Sequence, residues 1–380
     1  MFRDRASIVG VAESVFSKSI GRSEEDIAVE TVLAALGEAG IAPEEVDGFC
    51  SSDMENTQEV DLARNIGAGD ARFFAQIGYG GGGGCGLVGL AAMAVTLGQA
   101  DVVVVWRARN RGSGQRPWAS TQQPPWTLWN RPYGLIRPVD EVAMVTRRYL
   151  YEYGVSREEL AVVALTFRAH AQTNPRAMTV GKPMTLDDYL NVRMVSEPLC
   201  LFDCSLETDG AVALVVTSTE RAADCAAVPV RIHAAAQGFN HGYTQMTNLY
   251  VDDPLAGPPG VAARNLWRAS EVGPGDVDVA QLYDVFSPLV LLQLEDYGFC
   301  ARGEGARFAA EGGLHVDGGT LPTNTAGGSL SEAYIHGFNL LSEGVRQVRG
   351  TAVNQVEDAE VCLVTSGGHC APTSAVVLRR

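Results

Sequence analysis

Lysine is almost missing from this chain: Lys18 and Lys182 are the only two in 380 residues. Neither falls at a strand end or in a glycine turn, so a site built around a lysine Schiff base has no amine to use. Metal-ligand patterns are scarce as well. The six histidines (170, 233, 241, 315, 336, 369) show no short ligand spacing. The eight cysteines (50, 85, 200, 204, 225, 300, 362, 370) include no CxxC, and Cys200 and Cys204 lack a second pair nearby. No apolar run reaches the roughly 18 residues that cross a bilayer. The first residues lead straight into a strand-like Ile8-Val9-Gly10-Val11 rather than a secretory leader. A cytoplasmic protein with reduced, mostly buried thiols and no membrane association is expected. Positive charge is also short, with a net charge of −16. That balance disfavours nucleic acid and anionic lipid surfaces as partners; an anionic small ligand needs a locally basic groove.

What the chain does have is glycine. Gly80 to Gly84 are five in a row, followed by Cys85, Gly86 and the apolar segment Leu87-Val88-Gly89-Leu90-Ala91-Ala92. Gly327-Gly328 opens a comparable stretch near the C-terminus. Each reads as a glycine turn, a helix and a short apolar strand. A second repeat lies upstream of each unit: Gly40-Ile41-Ala42-Pro43 to Val46-Asp47 matches Gly273-Pro274-Gly275-Asp276 to Val277-Asp278. In both, glycine ends a helix, proline blocks its continuation and a strand follows. Preserved order points to internal duplication.

The first half reads as strand 7–11, helix 24–39, strand 48–52, the glycine turn, helix 87–97 and strand 101–106. The second reads as strand 230–235, helix 260–269, strand 280–285, the second glycine turn, helix 340–349 and strand 359–365. Continuous apolar strands such as Val102-Val103-Val104-Val105 imply sheets buried on both faces. The stretch 107–208 is an inserted loop domain within an N-terminal half at 1–228, and 229–380 is the C-terminal half. The insertion carries Trp118, Trp126, Trp129 and Gln123-Pro124-Pro125-Trp126, then helices at 140–153 and 157–172. An insertion of this size has its own task, such as covering a site or pairing subunits.

Several short motifs recur in this order: Gly81 to Ala94 leading to Asp101-Val102; Ser196-Glu197-Pro198 with Asp203-Cys204 and Asp209-Gly210-Ala211; Tyr283-Asp284-Val285-Phe286-Ser287; Asn324-Thr325-Ala326-Gly327-Gly328; and Ser366-Gly367-Gly368. Together they resemble the thiolase superfamily, in its sterol-carrier-type, lipid-transfer-like branch, over essentially the whole chain. The resemblance implies an α/β thiolase fold: two duplicated βαβαβ halves in an αβαβα five-layer arrangement. A thiolase also needs a thiolate nucleophile after the first glycine turn, a histidine after the second and a second cysteine near the last. Those positions fall here on Gly81, Tyr334 and near Val364. The residue before the acidic group of the middle motif is Tyr283, ahead of Asp284.

The pattern is similar to steroid side-chain retro-aldolases, which work without the cysteine. The branch implies an acyl-CoA thioester substrate with no separate cofactor, a homodimer and a small OB-fold partner subunit forming a heterotetramer. Thiolase-like dimers use their central sheets, and strand 101–106 is the expected edge. Tyr283 and Tyr334 are then the acid and base in either order, with Asp284 and His336 beside them. Gly81, Gly82, Gly328, Gly368 and His369 are the expected substrate-binding residues. A phenol needs a lowered pKa or a relay to act as base, and His336 or an arginine can supply it. Asp284 also reads as a helix cap, and Arg147, Arg148, Arg168 and Arg176 as phosphate ligands or ordinary surface charges. Three competing readings remain: an acyltransferase that uses Cys85, one helical turn deeper than Gly81; a non-catalytic scaffold subunit; and a condensing aldolase running in the synthetic direction.

Overall fold

The computed structural model describes residues 2–78, 80–114, 127–242, 251–369 and 371–380. Trp118, Trp126, the 123–126 segment and Cys370 lie outside them. The strands are β1 (Ala6–Glu13), β2 (Gly48–Ser52), β3 (Phe73–Ile77), β4 (Val102–Asn110), β5 (Met194–Ser196), β6 (Leu199–Cys200), β7 (Asp209–Ser218), β8 (Val230–Gly238), β9 (Val279–Gln281), β10 (Val361–Ser366) and β11 (Thr373–Arg379). β5 and β6 pair by themselves; the others form one sheet in the order β3-β2-β4-β7-β1-β8-β11-β10-β9.

This order is mirrored about β1 and β8. In each half the first strand is innermost and the last strand, β7 or β11, lies antiparallel beside it. Antiparallel β4 or β10 comes next, then parallel β2 or β9. The fifth place is filled by β3 in the first half; in the second it shrinks to a parallel bridge between Ala280 and Thr323. The halves join through two residue pairs, Ser7 with Arg231 and Ile8 with Val230.

Helix Glu24–Ala39 covers one outer face and helix Pro258–Ala269 the other. Helices Gly84–Thr96 and Phe338–Arg349 lie between, each packed on strands of both halves. This makes the five layers. β4 shows why the sequence folds so: Val102, Val104, Trp106 and Ala108 face the outer helix, while Val103 and Val105 face the central pair. Each buried valine contributes roughly 1.5–3 kcal/mol, and both faces demand apolar residues, so the run is unbroken.

Four expectations need correction. Strand 101–106 is not an edge, since β4 lies between β2 and β7; the sheet ends at β3 and β9. The first central helix begins at Gly84, not 87, because the Ser366 and Ser374 hydroxyls accept its early Cys85 and Gly86 N–H groups at 3.0 and 2.9 Å. The strand expected over 280–285 stops at Gln281, where side chains take over the backbone bonds. The Asn324 amide clamps Leu282 at both N–H and C=O (2.7 and 2.8 Å), and Thr365 Oγ1 accepts the Tyr283 N–H at 2.8 Å. Gly327-Gly328 opens only the one-turn helix Gly328–Ser331; the long helix starts at Phe338, after Gly337 at φ +82°.

Candidate active site

The two glycine turns meet at a pair of phenols. The hydroxyls of Tyr283 and Tyr334 are 2.7 Å apart, and their rings meet edge to face with centroids at 6.3 Å. Both residues are buried. Tyr283 leaves the end of β9 and stands over the five-glycine run. A Cβ on Gly81 would overlap its hydroxyl, and one on Gly337 would meet its ring edge at 2.9 Å. The space a nucleophilic side chain at 81 would need is thus filled by the phenol.

Cys85, the other candidate nucleophile, lies deeper. It is fully buried, its thiol lies 3.3 Å from the Val364 carbonyl and 3.2 Å from Ser366 Oγ, and burial pushes its pKa up to about 12. A thiol so held is a protonated donor, not a thiolate.

Asp284 accepts the N–H groups of Ser329 and Leu330 at 2.8 and 3.1 Å, and burial pushes its pKa up to about 6. A Cβ on Gly328 would overlap this carboxyl, which explains glycine there, at φ +59°. Asp284 therefore fixes the turn that carries Tyr334.

His336 stands beside Tyr334, ring centroids 5.3 Å apart, with its backbone in the left-handed region at φ +51°. Its Nδ1 faces Arg107 (2.9 Å to Nη2, 3.2 Å to Nε) and its Nε2 faces Arg111 at 3.2 Å. Burial, then the charges of Arg107, Arg111 and Arg109, hold its pKa well below the usual imidazole range. Held below that range, the ring is a weak base toward a phenol proton. His369 lies against Gly257, where a Cβ would overlap its ring; it bonds the Pro254 carbonyl, and burial lowers its pKa to about 4. Gly82 lies where the run presses on the last loop, with the Ser374 hydroxyl donating to its carbonyl at 2.6 Å. Gly368 packs close to the Tyr283 carbonyl and Leu289.

The sequence reading missed the arginine row. Arg107, Arg109 and Arg111 follow the valine run of β4, and their period-2 spacing was the available signal. Arg107 is fully buried against Glu55 in an ion pair, and the Arg111 guanidinium lies over the Tyr334 ring, 5.4 Å from its centroid. It also missed Thr208 and Asp209 as clamps. Thr208 takes the Arg111 N–H on its carbonyl (3.2 Å) and the Tyr334 N–H on its hydroxyl (2.9 Å). Asp209 accepts the N–H groups of Ile20, Gly112 and Ser113.

Of the four arginines considered for phosphate, Arg147 and Arg148 form exposed pairs with Glu197 and Glu152. Arg168 donates to Ser331 Oγ and stacks on Phe202, and Arg176 lies 3.3 Å from buried Glu13. Both lysines are exposed, and Trp129 is a surface residue. A cavity of about 630 Å³ lies between His170, His315, Asp317 and Asn354, and one of about 360 Å³ between Arg147, Tyr151, Met194 and Pro198; neither tyrosine lines either.

Residues 242–380 match the family model described as Thiolase C-terminal domain-like. The chain is 47% identical over 383 residues to a steroid side-chain-cleaving aldolase of Thermomonospora curvata, covering 98% of this chain and 97% of that one. It is 46% identical over 388 residues to the 17-hydroxy-3-oxo-4-pregnene-20-carboxyl-CoA lyase of Mycobacterium tuberculosis, covering 100% of both. The solved Ltp2-ChsH2(DUF35) aldolase superposes with a TM-score of 0.96 at 46% identity, over 100% of this chain and 98% of that one. The chain belongs to the thiolase superfamily, in its branch of steroid side-chain-cleaving aldolases and CoA lyases.

Proposed function

We propose that the protein is a carbon–carbon lyase that cleaves a β-hydroxyacyl-CoA, carried on a steroid side chain, to a ketone and a short acyl-CoA such as propionyl-CoA. The observation that carries this reading is the 2.7 Å contact of two phenol hydroxyls over Gly81, the place where a thiol nucleophile would stand. The similarity to the aldolase and the CoA lyase supports the same chemistry.

One phenol, as its phenolate, removes the β-hydroxyl proton. The electron pair left on that oxygen forms the C=O bond of the ketone, the Cα–Cβ bond breaks, and its electron pair enters the thioester as an enolate. The other phenol gives its proton to Cα. A proton passed across the contact between the hydroxyls restores the pair, so the cycle consumes no other reactant. In this scheme the enolate oxygen is held by N–H groups of the glycine turns around Gly81, Gly82, Gly328 and Gly368. His369 shapes the wall toward Gly257. CoA is part of the substrate, and no further cofactor enters these steps.

A small OB-fold partner subunit and a homodimer belong to the proposal, as a heterotetramer; similarity to the Ltp2-ChsH2(DUF35) aldolase supports the partner. The exposed sheet edge at β3, rather than β4, is then the place for the second copy.

The test is co-expression with such a partner and product analysis on a panel of tertiary β-hydroxyacyl-CoA thioesters. Ketone and acyl-CoA in equal amounts are expected. Acyl transfer with a covalent adduct on Cys85, or no reaction on any member of the panel, overturns the proposal.

A further inference from the structure

Helix Arg157–Thr173 and the residues just behind it close on the segment that leads to Tyr334. We infer that Asn174 is a positioning residue for Tyr334: its amide ties the two ends of the turn 326–332 together and so sets where the phenol stands. The inference rests on the lyase reading above, and it holds whichever tyrosine is the base.

Three observations carry it. First, Asn174 is fully buried and bonds through both atoms of its amide. Nδ2 donates to the Ala326 carbonyl at 3.0 Å and to Glu332 Oε1 at 2.8 Å, while Oδ1 accepts the Arg176 N–H at 3.0 Å. Asparagine is the shortest side chain with two N–H donors and an acceptor. Ala326 and Glu332 stand at opposite ends of the turn, and Glu332 is two residues ahead of Tyr334.

Second, the turn has little stiffness of its own. Gly327 and Gly328 are both left-handed, at φ +107° and +59°, and adjacent glycines leave the backbone free to move. Outside anchors hold it instead. Asp284 accepts the N–H groups of Ser329 and Leu330. Arg168 Nε donates to Ser331 Oγ at 3.0 Å, the Thr179 hydroxyl to the Ser331 carbonyl at 2.7 Å and the Met178 N–H to the Glu332 carbonyl at 2.9 Å. The helix presses close: a Cβ on Gly327 would come within 2.7 Å of the Ala171 methyl. Among these anchors Asn174 is the one that bonds both ends.

Third, the far partner of Asn174 lies in a closed, charged interior. Glu332 is fully buried and faces Glu13 from β1 and Glu343 and Arg346 from helix Phe338–Arg349. Arg346 and Arg176 lie 2.8 and 3.3 Å from Glu13. Burial, then the charges of Glu13 and Glu343, raise the Glu332 pKa well above the usual carboxylate range. Its Oε1 takes the Asn174 bond, and Oε2 has only a longer contact from Asn339, at 3.4 Å. A buried acceptor deprived of its donor is costly, so the turn shifts when the Asn174 amide is lost. A shift of about 1 Å at a reacting group lowers the rate by about 100-fold.

The experiment compares wild type with Asn174→Asp, Glu332→Gln and the double variant, each with its partner subunit. For each, kcat and KM for one tertiary β-hydroxyacyl-CoA thioester are measured from about pH 6 to about pH 9, together with the thermal midpoint. Glu332→Gln keeps the acceptor for Asn174 and should stay within about threefold of wild-type kcat. Asn174→Asp keeps the size, loses both N–H donors and sets two carboxyls face to face. A shared proton bridges them at the acid end and is lost as pH rises. Its kcat relative to wild type should therefore fall with pH, by about 10- to 100-fold at the alkaline end, with KM changing less. In the double variant the new amide donates to the new carboxylate, so the bond runs the other way. The pH-dependent loss should disappear and most of kcat return. Asn174→Ser, too short to reach Glu332, serves if the Asp variant does not fold; it should lose kcat by a similar factor with KM kept.

Wild-type kcat in Asn174→Asp at every pH overturns the inference. So does a loss that is equal at every pH, follows the thermal midpoint and is not relieved in the double variant, which makes Asn174 merely structural. Failure of the lyase reading shows elsewhere, in a wild type that cleaves no thioester of the panel.

Discussion

At the scale of single residues, the contact of the Tyr283 and Tyr334 hydroxyls over Gly81 dominates the candidate site. Tyr283→Phe and Tyr334→Phe are each expected to lower turnover by about 100-fold or more with an unchanged circular dichroism spectrum; a loss under threefold in both ends the acid–base scheme. Gly81 has an equally firm requirement. Gly81→Ala puts a methyl where the Tyr283 hydroxyl lies, and the overpacking should cost roughly 1–3 kcal/mol of stability together with most of the activity. A thermal midpoint equal to wild type contradicts that packing. The tyrosines were legible in the sequence because they occupy positions where a related fold keeps its catalytic groups. His336 was legible as a neighbour but not as a neutral one, since its state depends on arginines more than 200 residues away in the chain, at |i−j| = 229 and 225. Asp284 could be read as catalyst or cap, and its bonds to the amides of Ser329 and Leu330, 45 and 46 residues on, could not be read from its own segment.

At the scale of elements, strands and long helices were readable because periodic apolar runs mark them, as in Val102 to Val105. Their ends were less readable wherever a side chain from the other half finishes the backbone bonding. The start of helix Gly84–Thr96 is the clearest case, as Ser366 and Ser374 reach its first amides from β10 and β11. Ser366→Ala should therefore cost about 1 kcal/mol, within the range of a lost helix cap. Denaturant titration checks it, and an unchanged midpoint argues that water or another group takes the serine's place. β9 ends early for the same reason: Asn324 and Thr365 take over the bonds of Leu282 and Tyr283. No local rule in 280–285 announces partners that lie beyond residue 320.

At the scale of the whole molecule, the duplication was visible in repeated turns, and the mirrored strand order agrees with it. The pairing of β1 with β8 that joins the two half-sheets, at Ser7–Arg231 and Ile8–Val230, was not. Stability should also depend on pH through buried imidazoles. His170 and His369 have pKa values lowered to about 4, chiefly by burial. An unfolded chain takes up those protons near the ordinary histidine value, about 6.5, and the folded one does not. Their stabilising share is full above about 6.5 and is lost as pH falls toward 4. His170→Gln should accordingly gain on wild type over that interval, by up to about 3 kcal/mol; parallel melting curves from pH 7 to 4 would show the idea to be wrong. The sealed position of Cys85 has a wider consequence. Among the described residues no accessible thiol stands beside the tyrosine pair, so peroxide or an alkylating agent finds none of theirs to poison there, and activity resting on the phenols should outlast treatment that silences thiol-dependent relatives.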